Sequence, residues 1–334
     1  METIALYLKA DDAFRWYADS LREKTLAKPM GTPFNPDEYP SSWYFLQPGT
    51  IVDQYIIERP LAGGGFSSVY LARQRADQHQ VAIKEYLPRR LAHRTWHNHV
   101  VPNSENTHNL FMRGRKLFLE EAKVLANLRH PNIVEVLNFF QANSTVYLVM
   151  TYDYGKILSD YLKEKQTGLS EQFLLTVFPA LLGCLRAIHT QGWLHLDIKP
   201  QNILIRPGGD PLLLDFGAVQ PYPYTGRAKV GKVLTNGFSP LEQYDDHGQL
   251  GPWSDLYAVG ATMRTCLDGN PPPSATERAL KDRLVPAAKA FRSKYPAYLL
   301  EAIDTCMNVV AENRPQSADQ LLAALTPAAS GLVG

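Results

Sequence analysis

The stretch "HLDIKPQNILIRPGGDPLLLDFG", residues 195–217, decides the fold prediction for this chain. Its first part places an acid, a cation and an amide, Asp197, Lys199 and Asn202, within a single loop. A general base, a phosphate-neutralising charge and a metal-binding oxygen are therefore held within one turn of chain. Its last part is an apolar run that ends in Asp215, where a carboxylate can hold a magnesium ion against phosphate groups. This spacing indicates a site for phosphate chemistry.

A glycine-rich stretch lies upstream, "LAGGGFSSVYLA" at residues 61–72. Its three glycines stand between two strand-like runs, and without Cβ atoms the backbone N–H groups can approach phosphate oxygens. An ordinary glycine-rich hairpin turn accounts for the same stretch equally well. No G-K-[ST] sequence follows it, which argues against a Walker-type phosphate loop.

A lysine follows in the next strand-like run, "VAIKEY" at residues 81–86. In a strand, Val81 and Ile83 point to one face and Lys84 to the other, where its ammonium can meet phosphates held by the glycine turn. A lysine on the protein surface is the alternative interpretation of this short run.

The helical pattern "FLEEAKVLANLRHPNIV", residues 118–134, supplies two acids for such a lysine. Either Glu120 or Glu121 can face inward and pair with Lys84, because the apolar residues of the pattern mark the buried side of the helix. Two glutamates in contact with solvent are also compatible with the pattern.

The composition excludes several classes of protein. A chain of 334 residues with 45% hydrophobic content buries a sizeable core, so we expect one two-lobed domain or two domains. Lys and Arg number 34 against 33 for Asp and Glu, with no long run of one sign. The electrostatic footprint of a general nucleic-acid binder is missing, and we expect no nucleic-acid partner.

Cysteine usage and the N-terminus bear on location. Cys184, Cys266 and Cys306 are far apart in apolar stretches, which argues against a disulfide framework and favours a reducing, cytoplasmic setting. The first residues lack the charged-then-apolar pattern of a secretion signal. With no run of about 18 apolar residues, the sequence predicts no membrane span.

Periodicity divides the chain into segments. We predict an N-terminal extension at residues 1–50 and a strand-rich lobe at 51–151. A helical lobe follows at 152–327, and a tail at 328–334. Helical spacing of apolar residues predicts an amphipathic helix at 6–21 in the extension and one helix at 111–128 in the strand-rich lobe. The helical lobe begins with a helix that follows an N-cap at Ser170 and stops at Gly192. Further helices are predicted near 253–267, 297–308 and 317–325.

Taken together, these motifs resemble those of the bacterial eukaryotic-like (Hanks-type) serine/threonine protein kinases. Within residues 51–325, the matching motifs occur in the same order as in the family. They are "GGGFSSVY", "VAIKEY", "FLEEAKVL", "HLDIKPQN", "DFG", "GFSPLEQY", "WSDLYAVG" and "NRPQSA". The resemblance implies an α+β, bilobal protein-kinase fold, with a small antiparallel-sheet N-lobe containing one main helix and a larger helical C-lobe. The D-x-K-P-x-N form of residues 197–202 is similar to serine/threonine rather than tyrosine kinases.

The resemblance implies ATP and Mg²⁺ as cofactors, with Mn²⁺ as a further option, and a role for each matching residue. Lys84 would bind the α and β phosphates and pair with Glu121. Asp197 would orient the hydroxyl of a protein substrate or accept its proton, and Lys199 would steady the γ-phosphate. The metal ligands would be Asn202 and Asp215.

A nucleotide pocket is also implied. Met150 matches the gatekeeper, and the run from Thr151 to Asp153 matches the hinge whose backbone bonds the adenine edge. The other nucleotide-binding positions are Leu61, Gly63, Gly64, Gly65, Val69, Ala82, Lys84 and Leu204. For the apolar members, packing in the core is an equally adequate explanation, since adenine pockets are themselves core-like.

Supporting positions match as well. Glu242 and Arg314 match the pair that ties the activation segment to the helical lobe, and Asp255 matches the residue that braces the catalytic loop. Thr235 matches the threonine that contacts that loop. We expect these groups to act structurally.

Departures from the family pattern concern the glycine turn and the catalytic loop. Ala62 and Ser67 replace two of the family's glycines, which predicts a lower nucleotide affinity. Leu196 stands where the family has an arginine that pairs with a phosphorylated activation loop, and leucine has neither donor nor charge. The only serine or threonine in the matching part of the activation segment is Thr225. We therefore predict a kinase independent of activation-loop phosphorylation, regulated by the N-terminal extension, a partner or nucleotide supply.

Alternatives stay open at this point. The same departures suit a nucleotide-binding pseudokinase that acts as a scaffold or allosteric module. A phosphotransferase for small molecules is a further option, against which the "GFSPLEQY" platform and Lys199 speak. In the insert before the main helix, His93 and His97 can share a helical face as metal ligands, or lie in a solvated loop.

Overall fold

The computed structural model describes residues 45–165, 168–223 and 233–326, which form two lobes joined after Thr151. The α+β architecture is the one expected from the sequence. The amphipathic helix predicted at 6–21 lies outside the described residues, as does Thr225. The limits of the N-terminal extension and the tail stay predictions.

The N-lobe, residues 45–151, is built on one antiparallel sheet. Its strands in chain order are β1 (Ile51–Val52), β2 (Tyr55–Gly63), β3 (Ser67–Gln74), β4 (Gln80–Tyr86), β5 (Ala92–Arg94), β6 (Val100–Pro102), β7 (Val136–Ala142) and β8 (Thr145–Thr151). The main sheet has six strands in the order β1-β2-β3-β4-β8-β7. The strand-like runs on either side of the glycine turn and the run that carries Lys84 form β2, β3 and β4, as the sequence predicts. Strand β7 is partly exposed, and its burial alternates poorly.

The two faces of this sheet bury different cores. Val81 and Ile83 are fully buried on the outer face with Tyr70, Tyr147 and their neighbours. Lys84 points to the opposite face, as the alternation predicts, and this face packs on the main helix of the lobe. The outer core is thus separate from the side on which the site lies.

That main helix, α1 (Glu105–Asn127), starts six residues before the predicted start at residue 111. The backbone N–H of Ser104 donates to the Thr107 hydroxyl at 3.0 Å, which satisfies a free donor at the helix start. Polar residues fill this first turn and a half, so the apolar periodicity that marks a helix begins only at Phe111.

The insert between β4 and α1 contains a hairpin of β5 and β6, which corrects the expected helical face, while His97 lies exposed in a turn, as the loop alternative expects. His93 and His97 do not share a helical face: His93 lies in β5, and His97 lies in the connecting turn. The His93 ring bonds Asn103 at 2.8 Å. Among the described residues no group of three or more His, Cys, Asp or Glu side chains is arranged to hold a metal ion.

The C-lobe, residues 152–326, is mainly helical. Its helices are α2 (Leu158–Glu164), α3 (Glu171–Thr190), α4 (Leu241–Tyr244), α5 (Pro252–Asp268), α6 (Ala275–Leu280), α7 (Ala287–Ala290), α8 (Ala297–Cys306) and α9 (Ala318–Ala324). The predicted N-cap of α3 is present, since Ser170 Oγ accepts from the Phe173 N–H at 3.2 Å. By length and composition α3 is apolar enough to cross a membrane. Its Leu174, Val177 and Phe178 are fully buried in the lobe, as in the central helix of a folded core.

Short strands carry the loops of the site. They are β9 (Lys156–Ile157), β10 (Trp193–Leu194), β11 (Ile203–Ile205), β12 (Pro211–Leu213) and β13 (Gln220–Pro221). Strands β12, β11 and β9 form one small antiparallel sheet, and β10 pairs with β13. The loop from β10 to β11 carries Asp197, and the segment after β12 carries Asp215, so both acids face the cleft between the lobes.

Candidate active site

Lys84 lies at the centre of an ionic group that joins the lobes. Its Nζ donates to Glu121 Oε1 of α1 at 2.8 Å and to Asp215 Oδ1 of the C-lobe at 3.0 Å. It also lies 5.4 Å from the centre of the Phe118 ring, a favourable position for a cation. Glu120 instead pairs with Lys123 on the exposed side of α1. Of the two candidate glutamates, the one facing the cleft is therefore Glu121.

The charged side chains of this group shift one another's pKa values. Burial disfavours the charged ammonium, but the carboxylates of Asp215 and Glu121 outweigh it and raise the pKa of Lys84. Burial also opposes the charge on Asp215, yet Lys84 and the N–H of Gly217 lower the pKa of that carboxyl to about 2. A charged lysine and a charged aspartate thus face the cleft at neutral pH.

The catalytic loop forms a second polar group around Asp197. Lys199 Nζ donates to this carboxylate at 2.8 Å, and the Thr235 hydroxyl donates to it at 2.9 Å. Asn202 Nδ2 donates both to the Asp197 carbonyl, at 2.8 Å, and to its carboxylate, at 2.9 Å. The acid, the cation and the amide that open the sequence signature are therefore held together in space.

Asp255 of α5 binds the backbone of this loop just before Asp197. Its carboxylate accepts the N–H groups of His195 at 2.9 Å and Leu196 at 2.7 Å, and the ring of His189 at 2.8 Å. Burial would raise the pKa of Asp255, but these bonds and the His189 ring lower it. The buried carboxylate thus fixes the two residues that precede Asp197.

The rings of His195 and Phe216 connect the two acidic segments. They meet edge to face with centres 4.7 Å apart, and both residues are fully buried. Burial lowers the pKa of His195, so the ring is neutral. Sequence reasoning assigned neither ring a role, although each is next to a motif residue.

The positions expected to bind nucleotide lie on the N-lobe sheet, on the connection between the lobes and on β11. Ala82 and Met150 are direct partners on β4 and β8, and Val69 is the partner of Lys84 across β3 and β4. Leu204 of β11 lies close to Gly155, where an added Cβ would meet its side chain at 2.9 Å. Thr151 and Asp153 follow β8 in the connection between the lobes. Leu61, Gly63, Gly64 and Gly65 lie where β2 turns into β3.

The activation segment is anchored at both of its described ends. Arg314 donates two hydrogen bonds to Glu242, at 2.7 and 3.1 Å, and its guanidinium is almost completely buried. Because this is a bidentate charged pair, it fixes the platform that follows the segment. At the other end, β13 pairs with β10 just before the catalytic loop.

Leu196 is buried in an apolar cluster with Leu194 and Ala218. Tyr222, Val233 and Leu250 pack against this cluster, so it is contacted by residues from both described ends of the activation segment.

Gln243 of α4 ties the same elements together and has no counterpart among the sequence predictions. Its Nε2 donates to the Leu196 carbonyl at 2.9 Å and to the Val233 carbonyl at 2.7 Å. The side chain is buried, and both of its amide hydrogens are used. The only sequence signal was its position immediately after Glu242 in "GFSPLEQY".

In this two-lobed α+β domain, a lysine, two aspartates and an asparagine occupy the loops and strands of one site, and these are the residue types that phosphoryl-transfer sites use. The profile of the protein kinase domain family matches residues 55–324, and the chain belongs to this family. The expected bilobal fold is thereby confirmed. The solved structure of PpkA-294 in its apo form superposes with a TM-score of 0.75 and 31% identity, covering 85% of this chain and 100% of that one.

The curated relatives are serine/threonine and Aurora kinases. Serine/threonine-protein kinase D of Synechocystis is 29% identical over 288 residues, which cover 82% of this chain and 52% of the relative. A probable serine/threonine-protein kinase of Clostridium perfringens is 27% identical and is covered to 37%. Aurora kinase B of Mus musculus is 28% identical over 254 residues and is covered to 66%. The chain thus spans about half the length or less of the bacterial relatives. These matches confirm the resemblance to bacterial serine/threonine kinases.

Proposed function

We propose that this chain is an ATP- and Mg²⁺-dependent protein kinase that transfers the γ-phosphoryl group to Ser or Thr hydroxyls of proteins. The observation that carries the proposal is the presence of two intact groups of hydrogen-bonded charged side chains at the site. One is Lys84 with Glu121 and Asp215, and the other is Asp197 with Lys199. Positioning and charge neutralisation are the main sources of catalysis in phosphoryl transfer, and both groups serve them.

In the proposed reaction, Asp197 orients the acceptor hydroxyl and takes its proton as the oxygen–phosphorus bond forms. Lys199 Nζ, bonded to the same carboxylate at 2.8 Å, neutralises charge on the γ-phosphate. Lys84 binds the α and β phosphates and keeps its position through Glu121. ADP is the leaving group. Thr235 holds the Asp197 carboxylate from the side of the activation segment.

The proposed metal ligands are Asn202 and Asp215. A carboxylate and an amide oxygen are the hard donors that Mg²⁺ and Mn²⁺ accept. Asn202 uses its Nδ2 to bond Asp197, so its oxygen is the atom directed away from that bond. The Asp215 side chain is 41% exposed, which leaves it accessible from the cleft. When bound, the metal would neutralise the phosphate charges that these residues alone leave unbalanced.

The nucleotide pocket is proposed for the cleft side of β3, β4 and β8. Val69, Ala82, Met150 and Leu204 would enclose the adenine, and the backbone from Thr151 to Asp153 would bond its edge. Support comes from the position of Val69, Ala82 and Met150 on the strands around Lys84, and from the burial of all four residues, which is intermediate or complete. Such a wall suits an apolar, planar ring.

We propose that activity does not depend on phosphorylation of the activation segment. Leu196 offers no charge for a phosphate, and its apolar cluster with Leu194, Ala218 and Val233 gives the segment a different anchor. Gln243 adds two hydrogen bonds between the catalytic loop and that segment. These contacts are independent of any added phosphate.

The setting and partners are also proposals. Three free, buried cysteines among the described residues support a reducing, cytoplasmic environment. Protein substrates, and a regulatory partner that acts on the N-terminal extension, are the proposed partners.

Binding of nucleotide can be tested apart from turnover. We expect ATP with MgCl₂ to raise the Tm of the wild type, while ATP with EDTA gives a smaller shift. Lys84→Met should lose most of the shift, because the phosphates lose their cation. Lys123→Met, on the exposed side of α1, is the matched control and should keep it. A shift that is equal in all three proteins would contradict the proposed site.

A further inference from the structure

The outer side of the glycine turn, residues 63–67, is covered by two side chains from other parts of the chain. A Cβ added to Gly63 would lie 2.5 Å from a ring carbon of Phe45 and 2.7 Å from a guanidinium nitrogen of Arg89. Distances this short mean that the ring and the guanidinium lie directly on the backbone of the turn. Both approach from the face opposite Lys84, because Phe45 also packs edge to face on Tyr70 of the outer core.

The backbone of the turn is tied to the segment after β4. The Arg89 N–H donates to the Gly65 carbonyl at 3.0 Å, and the Leu87 N–H donates to the Phe66 carbonyl at 3.0 Å. The turn itself is closed by the Gly64 N–H, which donates to the Ser67 carbonyl at 2.9 Å. Arg89 therefore contacts the turn twice, through its backbone and through its side chain.

The two side chains support each other and are anchored below. The Arg89 guanidinium lies 5.7 Å from the centre of the Phe45 ring, within the range of a cation–π contact. Next to Phe45, Leu46 is 1% exposed, and its N–H donates to the Tyr70 hydroxyl at 3.2 Å. That hydroxyl donates to Glu85, the neighbour of Lys84 on β4, at 2.8 Å.

We propose that Phe45 and Arg89 are positioning residues for the nucleotide: they hold the glycine turn in the shape that receives the phosphates of a nucleoside triphosphate. An ordered turn loses less conformational entropy when the ligand binds, and so binds more tightly. The tighter binding offsets the lower nucleotide affinity expected from Ala62 and Ser67, which replace two of the family's glycines. The inference rests on the proposed function, since it assigns the turn to ATP.

The test compares Phe45→Ala with Phe140→Ala. Phe140 of β7 belongs to the same outer core and stacks on Tyr147 at 5.1 Å and on Tyr55 at 5.8 Å. Tyr55 begins β2, at the opposite end of that strand from the glycine turn. We expect Phe45→Ala to raise the Kd and KM for ATP about fivefold, the effect of roughly one lost contact, with the KM for an acceptor peptide unchanged. Phe140→Ala should lower Tm without changing ATP affinity. Equal ATP affinity in both variants, whether changed or not, would overturn the proposal.

Hydrogen exchange tests the contact without ATP. In the nucleotide-free protein, the amides of residues 63–68 should exchange faster in Phe45→Ala than in the wild type. Arg89→Gln should also increase their exchange rate, but by a smaller factor. Phe45→Leu replaces Phe45→Ala if the latter does not fold. Faster exchange in a protein that binds no ATP would support the contact and refute the proposed function. Unchanged exchange in both variants would overturn the contact itself.

Discussion

Leu196 adopts a backbone conformation that leucine rarely takes. Its φ is 63°, in the left-handed region, where a side chain costs on the order of 1–2 kcal/mol. The strain is held from both sides: the Leu196 N–H donates to Asp255 at 2.7 Å, and its carbonyl accepts from Gln243 at 2.9 Å. Burial of the side chain in its apolar cluster favours the same conformation. The residue is thus fixed by three independent contacts, none of which involves a phosphate.

We expect Leu196→Arg to lower both stability and activity. The guanidinium would replace an apolar side chain that is 4% exposed, and an unpaired buried charge costs on the order of 3 kcal/mol or more. Thermal unfolding and initial rates check this, with Leu196→Met as the control that keeps the site apolar. An Arg variant that is stable, and active only when Thr225 is phosphorylated, would show that the leucine is not needed for the anchor.

Gln243→Leu should reduce kcat with little effect on the KM for ATP. The substitution leaves the buried carbonyl of Leu196 and the partly buried carbonyl of Val233 without the donor they share, a loss of about 1–3 kcal/mol. The control is Gln249→Leu, at an exposed position of the same region. Unchanged kcat in Gln243→Leu at full ATP saturation would argue against a link between Gln243 and the catalytic loop.

The depressed pKa of Asp215 predicts how stability depends on pH. The group titrates near 4 in the unfolded chain and at about 2 in the folded one, so its ionised form stabilises the fold above pH 4. This contribution is lost as the pH falls from about 4 to about 2. The Tm curves of the wild type and Asp215→Asn should therefore converge over that interval. Curves that stay parallel would mean that the Lys84–Asp215 pair adds no pH-dependent stability.

Among the elements, those defined by local pattern were predictable from the sequence. Strands β3 and β4 follow from strand-like runs bounded by turn residues, and α3 follows from its cap at Ser170 and its apolar stripe. The loop from Asp197 to Asn202 was also predictable, because its functional residues are neighbours in the chain. Within α1, by contrast, the choice of Glu121 over Glu120 depended on the family register, since only packing against the sheet decides which glutamate meets Lys84.

The β5–β6 hairpin was not predictable for a physical reason. Its sequence is rich in His and Arg, and its stability comes from a distant partner: Arg94 pairs with Glu85 of β4, and both side chains are buried. Tyr147 also donates to Glu85, at 2.6 Å. A histidine spacing of four residues therefore indicated a helix, where tertiary contacts had selected a hairpin. The anchoring of Leu196 by Gln243 escaped prediction for the same reason, being a contact between residues 47 positions apart.

The hairpin should depend on its buried ion pair. Removing one partner leaves the other charge buried, so Arg94→Ala is expected to destabilise the protein by about 3–5 kcal/mol. Chemical denaturation measures this change, and Arg113→Ala, exposed on α1, provides the control. The double variant Arg94→Met with Glu85→Gln should recover part of the loss. If it is less stable than Arg94→Ala alone, Glu85 has a role beyond balancing Arg94.

At the scale of the whole molecule, the proposed site exists only where the two lobes meet. Lys84 belongs to the N-lobe and Asp215 to the C-lobe, and the 3.0 Å bond between them joins residues 131 positions apart. Glu121 ties the same lysine to α1, so the position of that helix and the closure of the cleft are coupled. The active arrangement is thus a property of the assembled domain and of no single segment.

The measurement that tests this account most directly is transfer of the γ-phosphate from ATP with Mg²⁺. The acceptors are a generic serine- and threonine-containing protein and the chain itself, and the wild type is compared with Asp197→Ala, Asp215→Ala and Thr225→Ala. We predict transfer by the wild type, a loss of at least about a hundredfold in both aspartate variants, and activity retained in Thr225→Ala. No transfer by a wild type that binds ATP, or equal transfer by Asp197→Ala, would contradict the proposed kinase mechanism. Abolished activity in Thr225→Ala would contradict independence from activation-loop phosphorylation.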